Sequence, residues 1–73
     1  MPKKKYNLAI NKIKESIKIN NKNENAYYNL ANIYKSQENF DEAIIGYEKT
    51  LKINKNYLKA YLNLGHIFYL KKN

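Results

Sequence analysis

The chain has 73 residues, room for at most one small domain, and its 14 lysines, with no arginine, against 6 Asp and Glu leave a net charge of +8. It has no cysteine and a single histidine, which excludes disulfide staples and thiol nucleophiles and leaves too few ligands for a protein-only metal cage. No apolar run approaches the ~20 residues that span a bilayer, and the opening "MPKKKYNLAINK" lacks the apolar centre of a secretory signal, so an intracellular, cytoplasmic chain is expected.

Taken in order, the apolar spacing predicts four helices, at about 3–19, 24–37, 40–53 and 57–71. Asn23 stands where it can cap the second helix, with Glu24 in the opening turn. Asn39 stands before the third. Glu42 lies three residues on, where a capping box would return its carboxylate to the cap's own N–H. Phe40, Ala43, Ile44, Tyr47 and Leu51 then recur mostly at steps of three or four, as one face of a helix requires. Asn54-Lys55-Asn56 reads as the turn into the last helix, and connections this short force neighbouring helices antiparallel. The expected class is therefore all-α, built from helical hairpins.

The chain also repeats itself. At an offset of 34, "AINKIKESIKIN" (9–20) falls on "AIIGYEKTLKIN" (43–54), and "NAYYNLANIYK" (25–35) on "KAYLNLGHIFY" (59–69). Ala9/Ala43, Ile10/Ile44, Asn20/Asn54, Ala26/Ala60, Tyr27/Tyr61, Leu30/Leu64 and Ile33/Ile67 are identical, and Tyr6/Phe40 and Ser16/Thr50 keep their character. A fixed period of this length marks a stacked repeat array, in which each unit buries its apolar face against the next.

The unit from Glu24 to Tyr57 resembles a tetratricopeptide repeat. That family's first-helix signature stands here as Tyr27-x-x-Leu30-Ala31-x-x-Tyr34 and again as Tyr61-x-x-Leu64-Gly65-x-x-Phe68, and its second-helix pattern as Ala43, Tyr47 and Thr50. The proline that usually follows the second helix is replaced by Lys55 in one copy and Asn21 in the other. The resemblance implies antiparallel helical hairpins stacked as a short right-handed solenoid. Small residues at Ala31, Gly65, Ala43 and Thr50 would let backbones approach, while tyrosine rings fill around them. The organisation expected is one domain over 1–73, with a complete repeat at 24–57 and half repeats at about 3–23 and 58–73. Its helices then run in the phase second, first, second, first.

This phase leaves both terminal helices without partners of their own. Tyr61, Leu64, Gly65 and Phe68 would face a following second helix, and Ala9, Ile13 and Ser16 a preceding first helix. The expectation is exposed end faces at Ala9, Ile13, Tyr61, Leu64 and Phe68. The chain is then either part of a longer array or one that closes its ends on copies of itself as a homo-oligomer.

No catalytic residues are assigned, no metal site and no cofactor. Glu38 and Glu42 straddle a helix break, Asp41 and Glu42 suit a helix N-terminus, and Gly46 and Gly65 are isolated within helices rather than in a phosphate loop. Lys, Asn, Ile and Tyr share AT-rich codons, so the lysine excess needs no polyanion to explain it and nucleic acid is set aside as a partner. The resemblance makes the first-helix faces a concave groove lined by Tyr28, Asn29, Asn32, Lys35, Lys59, Leu62, Asn63, His66 and Tyr69. Rings beside amide and ammonium donors suit a protein or peptide segment, acidic or ending in a carboxylate. Some members of the family clamp the C-terminal carboxylate of chaperone tails. Asn29 matches the asparagine of that clamp's middle repeat and Lys59 the lysine of its next, while Asn63 stands in place of a second cation. Lys3-Lys4-Lys5 and Lys71-Lys72 read as solvated ends, and Lys12, Lys14, Lys18, Lys49 and Lys52 as the convex side.

Overall fold

A computed structural model describes residues 3–72, with side chains from Lys5 onward. Met1, Pro2 and Asn73 of the expected 1–73 unit lie outside the described residues, as do the side chains of Lys3 and Lys4. The chain forms α1 (Lys3–Ile19), α2 (Glu24–Ser36), α3 (Phe40–Ile53) and α4 (Leu58–Lys71), with no strand among the described residues. α2 packs most extensively on α3, α3 then on α4, and α1 on α2. The extents are 36 × 32 × 15 Å. Because one helix with its side chains is already ~10–12 Å across, a body this thin leaves every helix a face in water.

Local chemistry explains the boundaries. The Asn23 side chain accepts from the backbone N–H groups of Asn25 (3.1 Å) and Ala26 (3.3 Å), satisfying donors that α2 leaves unpaired at its start. Asn20 and Asn54, paired by the 34-residue offset, do the same work in the two equivalent turns. Each side chain accepts from the N–H two residues on, Lys22 (3.1 Å) and Asn56 (3.0 Å). Their own N–H groups close the preceding helices on Ser16 O and Thr50 O, again an equivalent pair. The repeat is thus visible in the hydrogen bonds as well as in the residue types.

The α2–α3 turn departs from the expected capping box. Asn39 is the residue before α3, yet its side chain makes no cap bond. Its N–H, which Glu42 was expected to engage, already donates to Tyr34 O at 2.8 Å, while the Glu38 N–H donates to Lys35 O at 2.9 Å. These two bonds form a Schellman closure of α2, and Glu38 takes the left-handed position it needs, at φ 60. One N–H cannot serve two acceptors equally, and the closure of α2 takes it.

The core is a seam rather than a centre. Ala31, Ala43, Tyr47, Ala60 and Ile67 are fully buried, and Tyr28, Tyr34, Phe40, Ile44, Leu51, Tyr57 and Leu64 pack against them. Thr50 is buried as well, its hydroxyl donating to Gly46 O at 2.9 Å within the same helix. Gly46 lets α2 and α3 touch: a Cβ placed on it would stand 2.7 Å from the Ala31 Cβ.

Candidate functional site

The first-type helices α2 and α4 are joined along one face by polar groups. Lys35 Nζ donates to Asn63 Oδ1 at 2.7 Å, and Asn63 Nδ2 lies 3.1 Å from the Tyr28 hydroxyl and 2.9 Å from Lys59 O. One carboxamide thus reaches a cation and a phenol on α2 and, in its own helix, the carbonyl one turn back. Below it the Tyr28 ring lies against Tyr57 (centroids 4.9 Å apart) and Tyr47 (5.7 Å), and the Tyr57 hydroxyl donates to Asn25 Oδ1 at 2.8 Å. The Tyr47 hydroxyl donates to Asn32 Oδ1 in a short bond. Burial, with Tyr28 close by, raises the Tyr47 phenol above its ordinary pKa. Tyr57 is raised by the same causes, with Glu24 adding to them.

The residues expected to line a groove therefore fall into two sets. Tyr28, Lys35 and Asn63 are half-buried and join α2 to α4, while Asn32, also half-buried, is engaged by Tyr47 of α3. Asn29, Lys59, Leu62, His66 and Tyr69 are exposed, and no side-chain hydrogen bond joins them to the rest of the described structure. Tyr57 and Asn25 belong to the same polar row and were not expected there. The only signal in the sequence is that Tyr57 occupies the slot equivalent to Asn23, just before its helix, from which a long ring can reach back to α2.

The expected end faces are open to different degrees. Tyr61 is 52% and Phe68 56% exposed, and Gly65 has nothing within 4 Å of where a Cβ would stand. Leu64, also expected on that face, is half-buried against the core, because its helix packs on α3 as well. Ala9 and Ile13 on α1 are half-buried, and Ser16 is exposed.

On the second-helix side a shallow cleft of about 210 Å³ is lined by Asn21, Tyr27, Lys49, Lys52 and Ile53. Lys49 Nζ lies 5.6 Å from the centre of the Tyr27 ring, and the Tyr27 hydroxyl donates to Asn21 O at 3.1 Å. Both ends of the tyrosine are thus already occupied within the chain. Among the described residues no group of three or more His, Asp or Glu is placed to hold a metal, and no helix is long and apolar enough to cross a membrane.

The architecture defines a helical-hairpin repeat protein whose accessible features are helix faces rather than an enclosed pocket. The family model of the tetratricopeptide repeat matches residues 24–57, which are α2, the turn into α3, α3 itself and the turn that follows it, so this hairpin is similar to that family's repeat. Repeats of this kind are in general protein–protein interaction modules without catalysis. A comparison with curated proteins finds no match.

Proposed function

We propose that the chain binds an extended peptide segment along the face shared by α2 and α4, and that the segment is acidic or carries a free terminal carboxylate. The observation that carries this reading is the Lys35–Asn63–Tyr28 row, which spans the two helices and sets a positive charge between them. An ammonium has three donors, and the bond to Asn63 uses one, so Lys35 can hold a carboxylate without leaving its place. Exposed Lys59 and Asn29 supply further donors, while Leu62, His66 and Tyr69 offer ring and aliphatic surface for side chains of the segment. The net charge of +8 favours acidic partners over basic ones at long range.

Fluorescence polarisation with a labelled oligo-aspartate peptide bearing a free C-terminus tests the reading. Binding should weaken at least tenfold in a Lys35→Gln, Lys59→Gln double variant whose circular dichroism is unchanged, and should weaken with added salt. A further variant, Asn29→Ala with Lys59→Ala, asks whether the two clamp-like positions act together. Equal binding by both double variants and the parent would overturn the groove.

A second reading is self-association through the end faces. It is favoured by the half-bare rings of Tyr61 and Phe68, which lie on a helix whose outer side nothing covers among the described residues.

A further inference from the structure

The 34-residue offset places every residue of α4 up to Leu70 in the slot of a residue of α2, and every residue of α1 from Tyr6 onward in the slot of a residue of α3. The structure can therefore be compared with itself. On α2, Leu30 and Ala31 are buried and Tyr27 and Tyr34 half-buried; their counterparts on α4 are Leu64, half-buried, and Gly65, Tyr61 and Phe68, all exposed. On α3, Ala43, Gly46, Tyr47 and Thr50 are all buried; their counterparts on α1 are Ala9 and Ile13, half-buried, and Lys12 and Ser16, exposed. Among the described residues the same slots lie bare where no opposing helix stands, and the chain carries both halves of such a pair.

Gly65 adds an independent observation. A glycine inside a helix costs about 1 kcal/mol relative to alanine, and at Gly46 the contact with Ala31 explains it. At Gly65 nothing within the chain does, since a Cβ there would meet open space. In the α2–α3 pair one partner carries a Cβ (Ala31) and the other none (Gly46). In the equivalent α4–α1 pair, Gly65 carries none and Lys12 carries one. The small-against-larger pairing is kept with its sense reversed: Gly65 removes the Cβ contact, while the Cα and carbonyl contacts, 3.2 Å each in the α2–α3 seam, would remain for the Lys12 Cβ, so the two helices must stand a few tenths of an ångström further apart there.

We propose that α4 of one chain docks on α1 of a second copy in the register in which α2 docks on α3, with Gly65 against Lys12 and Tyr61 and Phe68 closing over Ala9 and Ile13. This rests on the self-association reading and specifies its geometry. The contact is heterologous, head to tail, so each copy offers one used and one free end, and assembly proceeds beyond a dimer as concentration rises. Tyr61 and Phe68 have about half their surface in water, roughly 200 Å² between them, about a quarter of the ~800 Å² per partner of a standard interface, the rest of which must come from the other exposed residues of the two helix faces. The association is concentration-dependent. The register also brings Lys72, beside a Lys71 already paired with Asp41 at 2.9 Å, toward Lys5 at the start of α1, so added salt should strengthen assembly modestly by screening the Lys72–Lys5 repulsion.

The absence of cysteine from the chain makes a direct test available. Sedimentation over a hundredfold concentration range should show the mass of the parent rising, and that of Gly65→Leu staying monomeric at concentrations at least tenfold higher. Gly65→Leu has open space in the single chain, so its helicity should be retained, which circular dichroism checks. Single variants Lys12→Cys and Gly65→Cys, mixed and mildly oxidised, should give the mixed disulfide in preference to either symmetric one. Preferential 65–65 linkage, or association undiminished in Gly65→Leu, would overturn this register while leaving self-association standing. A parent that stays monomeric throughout would overturn both.

Discussion

Gly46 and Ala31 face each other across the α2–α3 seam so closely that a Cβ on the glycine would stand 2.7 Å from the alanine's. Gly65, in the slot equivalent to Ala31, has no neighbour within 4 Å. Two mid-helix glycines therefore respond in opposite ways to the same substitution. Gly46→Ala gains about 1 kcal/mol of helix propensity but overpacks the seam at a cost of about 1–3 kcal/mol, so a net loss is expected. Gly65→Ala should gain about 1 kcal/mol. Urea unfolding at low protein concentration checks both, and a destabilised Gly65→Ala would show that its surroundings are not open.

The two asparagines that precede α2 and α3 look alike in sequence and do different work. Asn23 caps with its side chain, and Asn39 does not. Asn23→Ala should therefore cost about 1 kcal/mol, while Asn39→Ala should change the unfolding midpoint little. Equal losses would mean that Asn39 caps after all.

Glu38 holds a left-handed conformation, φ 60, to close α2. A side chain there costs roughly 1–2 kcal/mol that glycine avoids. Glu38→Gly should raise stability despite the greater freedom of the unfolded glycine, and Glu38→Val should lower it. The thermal midpoints of the two variants should bracket that of the parent.

Burial raises the Tyr47 phenol above its ordinary value of 10.0. The folded chain then keeps this proton at a pH where the unfolded chain has released it. The stability it contributes is complete below about pH 10 and falls as the pH rises beyond that. Tyr47→Phe loses the bond to Asn32, worth about 1 kcal/mol at neutral pH, but is spared the alkaline loss. The stability gap between parent and variant should narrow above about pH 10. The titration of the lysines is common to both and cancels. A gap that stays constant from neutral to alkaline pH would contradict the buried phenol.

Much of this molecule could be read before its structure was known, because its signals are local or periodic. The helices fall at the expected places, since their apolar residues recur at the helical spacing and Asn23, Asn20 and Asn54 act through bonds two or three residues long. The arrangement of the residues expected to line a groove was not legible, because it depends on contacts between helices. Asn63 is spent joining Lys35, Tyr28 and Lys59 O. Tyr57 was passed over, and its ring lies on Tyr28.

The sequence by itself determined the period of 34 and the helix phase, because these follow from residue types at fixed separations along one chain. Only the tertiary structure decided which glycine is a contact and which is bare, and which N–H of the α2–α3 turn was already engaged. It also decided which polar side chains remain available to a partner. Those outcomes depend on what stands across a gap of a few ångströms, and a residue's neighbours across such a gap are set by the packing of whole helices.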